Sequence, residues 1–167
     1  HREAWVESLR SKLARTEPVA AASIDLRSQA AAQVTVTGEA IKPDGSSVPP
    51  EWRAELLGET ATFTGKEHLA YPDLNFPEAN RPFSWSVWVK PAGDGAILSK
   101  MDSAEAARGC DLFLYADGKI GMHLIDAWPG NALKVATKQA LPRDKWSHVT
   151  ATYNGSSKAA GATLYFN

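Results

Sequence analysis

Apolar and polar residues alternate with period two through most of this chain. The clearest run is Phe83 to Lys90, with Phe83, Trp85, Val87 and Val89 on one side and Ser84, Ser86, Trp88 and Lys90 on the other. Aromatic and β-branched residues fill the run and Pro91 ends it. It predicts the central strand of a β-sandwich, interior to its sheet, with one face in the core and a mixed polar and aromatic face outside.

The same pattern predicts further strands at Ser23 to Leu26, Gln33 to Thr37, Thr60 to Thr64, Ala96 to Lys100, Leu133 to Lys138, Trp146 to Tyr153 and Thr163 to Asn167, with a short arm at His68 to Tyr71. Asp111 to Tyr115 and Lys119 to Ile125 flank Ala116-Asp117-Gly118, a hairpin signal. Loops are expected at Ala40 to Trp52, where Pro43-Asp44-Gly45 and Pro49-Pro50 interrupt the chain. Others are expected at Met101 to Gly109 and at Asp126 to Asn131. Period four appears once: Trp5, Leu9 and Leu13 form an apolar stripe with Glu3, Glu7, Arg10 and Lys12 outside it, predicting a helix that ends at Thr16-Glu17-Pro18. That helix either caps the β-domain or ends a preceding one. Short, evenly spaced strands with turns between them place the chain in the all-β class, as an antiparallel jelly-roll sandwich with a short N-terminal helix.

Composition changes this picture little. At 167 residues and 44% hydrophobic, the chain can build one ordinary core. Eighteen basic and 19 acidic residues leave a net charge of −1, so neither nucleic acid nor an anionic membrane surface is an expected partner. No apolar run approaches the ~20 residues of a membrane-spanning helix. Cys110 is the single cysteine, which excludes an internal disulfide, a Cys-rich zinc site and a C-x-x-C-H haem attachment. It reads as a small buried hydrophobe.

Several segments in this order resemble the laminin-G-like branch of the concanavalin A-like lectin/glucanase superfamily. They are Phe63-Thr64-Gly65 with Leu69 and Pro72; Phe83 to Pro91; Ala96 to Lys100; Leu112 to Ile125; Leu141-Pro142; Lys145 to Val149; Thr152 to Gly155; and Leu164 to Asn167. Two more, Ala132 to Gln139 and Ser157 to Gly161, are similar to the version of this module set in large secreted bacterial proteins that also carry c-type-cytochrome-like segments. The resemblance implies the concanavalin A-like jelly roll, export to the periplasm or beyond, and sugar binding. It divides the chain into residues 1–17 (helix, or the tail of an upstream domain), 18–59 (early strands and the Pro-rich loop) and 60–167 (sandwich core). The family continues past the position of Asn167, often through an acidic pair, so the last strands are expected to be missing here.

Catalysis finds little support. Glycosidases need two carboxyls ~5–9 Å apart. Residues i and i+2 on a strand supply that spacing, and no acidic pair occurs at i, i+2. His123, Asp126 and a serine make a triad only on paper, with no Gly-x-Ser-x-Gly turn to present a nucleophile. Asp94, Asp102 and Asp111 are oxygens of the kind calcium prefers, so a structural calcium ion stays open as the one cofactor, although lone aspartates commonly just form turns. Sugar binding needs an aromatic platform with polar groups beside it. The candidates are Trp128 in its Pro-Gly loop, Trp88 on the non-core face beside Ser86 and Lys90, and His123 and Tyr115 beside the Asp-Gly hairpin. Plain structural roles compete with three of them: burial under the N-terminal segment for Trp88, loop packing for Trp128, a surface or satisfied histidine for His123. Trp85 and Trp146 read as structural. The expected function is therefore a non-catalytic glycan-binding or adhesion module, with glycan or neighbouring domains as partners. The alternative is an architectural domain that binds nothing soluble.

Overall fold

Each strand of residues 75–167 puts its apolar alternate positions inward, and that parity builds the core. The computed structural model describes residues 22–24, 34–36, 39–55, 58–74, 76, 78–102 and 104–167. The helix expected over residues 1–17 lies outside the described residues. Two compact units divide between Leu74 and Asn75.

In the first unit, β1 (Ala22–Ile24), β2 (Val34–Val36) and β3 (Glu39–Ile41) form an antiparallel sheet in that order, and β4 (Glu51–Glu55) pairs with β5 (Gly58–Thr62). The loop expected over Ala40 to Trp52 is therefore shorter, bounded by β3 and β4. Its Pro-rich middle stays irregular because proline cannot donate to a ladder. Residues His68 to Tyr71 make a single bridge, His68 to Val48, rather than an arm. Asp44 closes the Pro-Asp-Gly turn by accepting from the Ser46 N–H at 2.9 Å and the Ser46 hydroxyl at 2.5 Å, which lowers its pKa.

The second unit contains β6 (Pro82–Val89), β7 (Gly95–Asp102), β8 (Arg108–Leu114), β9 (Ile120–Ala127), β10 (Asn131–Ala136), β11 (Ser147–Asn154) and β12 (Ala162–Phe166). They make two antiparallel sheets, ordered β12-β11-β6 and β10-β9-β8-β7. The sheets pack face to face. Leu112, Leu114, Ile120, Met122 and Leu124 from one meet Val149, Ala151 and Tyr153 from the other, with Phe83, Trp85, Val87, Val89, Leu164 and Phe166 packed against them. The expected all-β antiparallel sandwich is thus what the chain forms. A bulge at Ala96/Leu98 lets consecutive Ile97 and Leu98 both reach the core.

β6 was expected inside its sheet, but among the described residues it pairs only with β11, and β11 is the middle strand. Alternation reports which face is buried; it carries no information on how many neighbours a strand has.

Aromatic contacts fix the start of β6. Phe83 and Trp85 lie 4.7 Å apart, Phe76 stacks edge-on to Trp85 at 6.1 Å, and Tyr153 meets Phe83 at 5.4 Å. The Tyr153 hydroxyl donates to the Ala79 carbonyl and accepts from the Ser157 N–H, tying two loops to the buried ring. At the opposite end, Arg143 donates to the carbonyls of Ala92 and Ala116. Gly109 sits at φ 140° directly against the Lys100 carbonyl, where a Cβ has no room.

Candidate functional site

The outward face of the three-stranded sheet follows from register. β6 contributes Ser84, Ser86 and Trp88; β11 contributes His148, Thr150 and Thr152; β12 contributes Thr163 and Tyr165. Trp88 pairs with His148, and Thr150 lies between Ser86 and Tyr165. Trp88 is 64% exposed and Tyr165 55%. The Trp88 and His148 rings are 5.0 Å apart, and Ser86 Oγ is 2.7 Å from His148 Nε2. The His148 backbone N–H donates to Asn167 Oδ1 at 2.7 Å, which steadies the edge of this patch. Trp146, expected to be structural, precedes Ser147 and is 41% exposed. Ser147 takes the inward position with no exposure, so the preceding residue turns out.

The outer face of the four-stranded sheet carries a different arrangement. Asp111 on β8 is paired with His123 on β9, and Lys134 on β10 is paired with His123 from the other side. Asp111 Oδ1 is 2.5 Å from His123 Nδ1, and the Tyr115 hydroxyl is 2.8 Å from His123 Nε2. With a neutral imidazole, Nδ1–H donates to the carboxylate and Nε2 accepts from the phenol. Tyr115 can fold back this way because Gly121 lacks a Cβ, which would stand 2.5 Å from the Tyr115 oxygen. Lys134 Nζ lies 4.8 Å from the Tyr115 ring centroid. His123 is thus a satisfied histidine, its side chain 12% exposed. Its carboxylate partner is Asp111, and the paper triad with Asp126 does not form. Asp126 instead pairs with Arg108 at 3.4 Å and accepts from Asn131.

Trp128 stands in the turn between β9 and β10, after a strand that runs on to Ala127 and so shortens the expected loop. It is 51% exposed, and its backbone N–H donates to the Ala106 carbonyl at 3.0 Å. The four expected sugar-binding residues therefore do not converge. Trp88 lies on one sheet's outer face, His123 and Tyr115 on the other's, and Trp128 at a strand end roughly 16 Å along β9 from His123 at ~3.3 Å per residue.

The three aspartates weighed as calcium ligands are also apart. Asp94 lies in the turn before β7, Asp102 caps a turn through the Ala104 N–H, and Asp111 sits mid-strand on His123 rather than at a strand end. Among the described residues, no three His, Cys, Asp or Glu side chains gather into a group that could hold a metal ion. Cys110 is buried in the core. Burial, and then the negative charge of Asp111, push its thiol up to about 11.

A family profile described as the concanavalin A-like lectin/glucanases superfamily, of laminin G type, matches residues 63–167, more than half of the chain. The chain belongs to this superfamily. Comparisons with curated proteins and with solved structures return no match.

On this lectin/glucanase-type sandwich, sequence reasoning found Trp88 but missed His148 and Tyr165. The signal was present: Val149-x-Ala151-x-Tyr153 and Leu164-x-Phe166 fix the inward parity of β11 and β12, so their polar and aromatic alternates had to face out with Trp88.

Proposed function

We propose that this module binds a glycan on the outer face of the β12-β11-β6 sheet and carries no catalysis of its own. One observation supports this above the others. Two widely exposed aromatics, Trp88 and Tyr165, share a sheet face with the hydroxyls of Ser84, Ser86, Thr150, Thr152 and Thr163. Rings stack on the C–H faces of sugars, and hydroxyls read their edges. Family membership adds to the reading, since modules of this kind often bind carbohydrate or mediate adhesion.

The Ser86–His148 contact looks like a nucleophile and its base, but no carboxylate occupies an outward position on these strands to orient the imidazole. The Asp111–His123 pair has its carboxylate but ends on a phenol. An exported parent with cytochrome-like segments belongs to the same proposal and rests on the resemblance of Ala132 to Gln139 and Ser157 to Gly161 alone.

An architectural role draws on the same exposed rings, because aromatics are also enriched at domain interfaces. A glycan array probed with the wild-type protein and Trp88→Ala separates the two. Array binding that disappears in the variant is the expected result. A blank array for the wild type favours the architectural role.

A further inference from the structure

The face proposed above has a charge pattern that narrows its ligand. None of its outward strand positions is Asp, Glu, Lys or Arg: they are Pro82, Ser84, Ser86 and Trp88 on β6, His148, Thr150, Thr152 and Asn154 on β11, and Thr163 and Tyr165 on β12. Just beyond the strand ends stand Lys90, the next position of that parity after Trp88, and Asn167, opposite His148. His148 is the one imidazole, and its Nε2 is engaged by Ser86. Calcium needs several oxygens with carboxylates among them, and this face offers hydroxyls and no carboxylate. An anionic sugar would want an Arg fork or several lysines, and a cationic one a carboxylate. The strand positions supply neither, and Lys90 is a single cation at the rim.

The spacing of the rings adds a second constraint. Tyr165 is two strands from β6, level with Ser86, and Trp88 is two residues further along. That places the two Cα atoms roughly 12 Å apart, from ~4.8 Å per strand and ~3.3 Å per residue. One pyranose ring cannot cover both platforms.

Resting on the glycan-binding reading, we infer that this face takes an uncharged polysaccharide chain, at least two sugar residues long, without a bridging cation. The rings stack successive sugars, and the Ser and Thr hydroxyls between them exchange hydrogen bonds with the chain's own hydroxyls. Each such exchange is nearly neutral in net energy, so the stacking supplies the affinity and the hydroxyls supply the orientation.

Isothermal titration calorimetry on the protein tests this. The probes are neutral gluco-, xylo- and manno-hexasaccharides, a hexagalacturonate, a chitosan hexasaccharide and the matching monosaccharides, each with excess calcium and with excess EDTA. A neutral hexasaccharide is expected to bind with affinity within about twofold in calcium and in EDTA, and at low and high salt. Its monosaccharide is expected to bind at least about tenfold more weakly. Loss of binding in EDTA, binding of a charged hexasaccharide alone, or equal affinity for the monosaccharide overturns the inference while leaving glycan binding standing. Binding untouched by Trp88→Ala overturns the inference by moving recognition off this face, and absence of binding to every probe overturns the glycan reading itself.

Discussion

Trp88 on β6 and His148 on β11 are direct cross-strand partners, their rings 5.0 Å apart on the outer face, while Trp85, three residues earlier, packs inward against Phe83 and Phe76. The two tryptophans on one strand therefore have separable roles. Trp85→Ala opens a cavity in the aromatic cluster and is expected to cost about 3 kcal/mol. Trp88→Ala removes an exposed ring and is expected to stay within about 0.5 kcal/mol. Urea denaturation of the two variants checks this. Equal shifts of the midpoint would remove the inward–outward assignment of β6.

Asp111, His123 and Tyr115 form one hydrogen-bonded chain, with the carboxylate and imidazole largely shielded. Asp111→Ala strips His123 of a charged acceptor and is expected to destabilise by about 2 kcal/mol, and Tyr115→Phe by about 1 kcal/mol. In a double-mutant cycle the two are expected to couple, because both act through His123. Strict additivity would show that His123 does not transmit between them.

Burial holds the Cys110 thiol near 11, above its ordinary value. The folded pKa is raised, so the stabilisation is complete below the unfolded value of ~8.5 and is lost as pH rises through 11. At pH 8 the native protein is expected to resist a thiol-reactive disulfide reagent and to react fully once unfolded. Rapid native labelling would place Cys110 outside the core.

Glu67 behaves in the opposite sense. The Thr64 N–H first, then the Glu67 N–H and the Thr64 hydroxyl, hold its carboxylate at about 2. A depressed folded pKa contributes stability above the unfolded value and loses it as pH falls through 2. A carboxyl NMR titration is expected to show Glu67 titrating well below the ordinary glutamate value, near 2, and Thr64→Val to move it upward. A Glu67 that titrates at the ordinary value would mean the turn is not held by this side chain.

Much of the fold was legible because burial is written in period two. Phe83, Trp85, Val87 and Val89 all pack on the core as the alternation requires. The neighbours of β6 were not legible, since sheet order depends on pairings between strands distant in sequence, here β6 with β11. The Asp111–His123 pair was half legible. The hairpin was evident, but its register depends on loop length. A five-residue connection from Tyr115 to Lys119, with Leu114 opposite Ile120, is what sets Asp111 against His123. The candidate face was legible only at Trp88, whose outward parity lies within one strand. The face itself is assembled from single residues on three strands, with Ser86, Thr150 and Tyr165 meeting only through pairing.

The most direct measurement compares three single-ring variants for the hexasaccharide that the wild type binds best. Trp88→Ala and Tyr165→Ala are each expected to weaken binding about tenfold or more, a loss of ~1.4 kcal/mol. Trp128→Ala, on a turn away from that face, is expected to stay within about twofold. Loss of binding in Trp128→Ala with Trp88→Ala and Tyr165→Ala unchanged would contradict the assignment and place recognition at the β9–β10 turn.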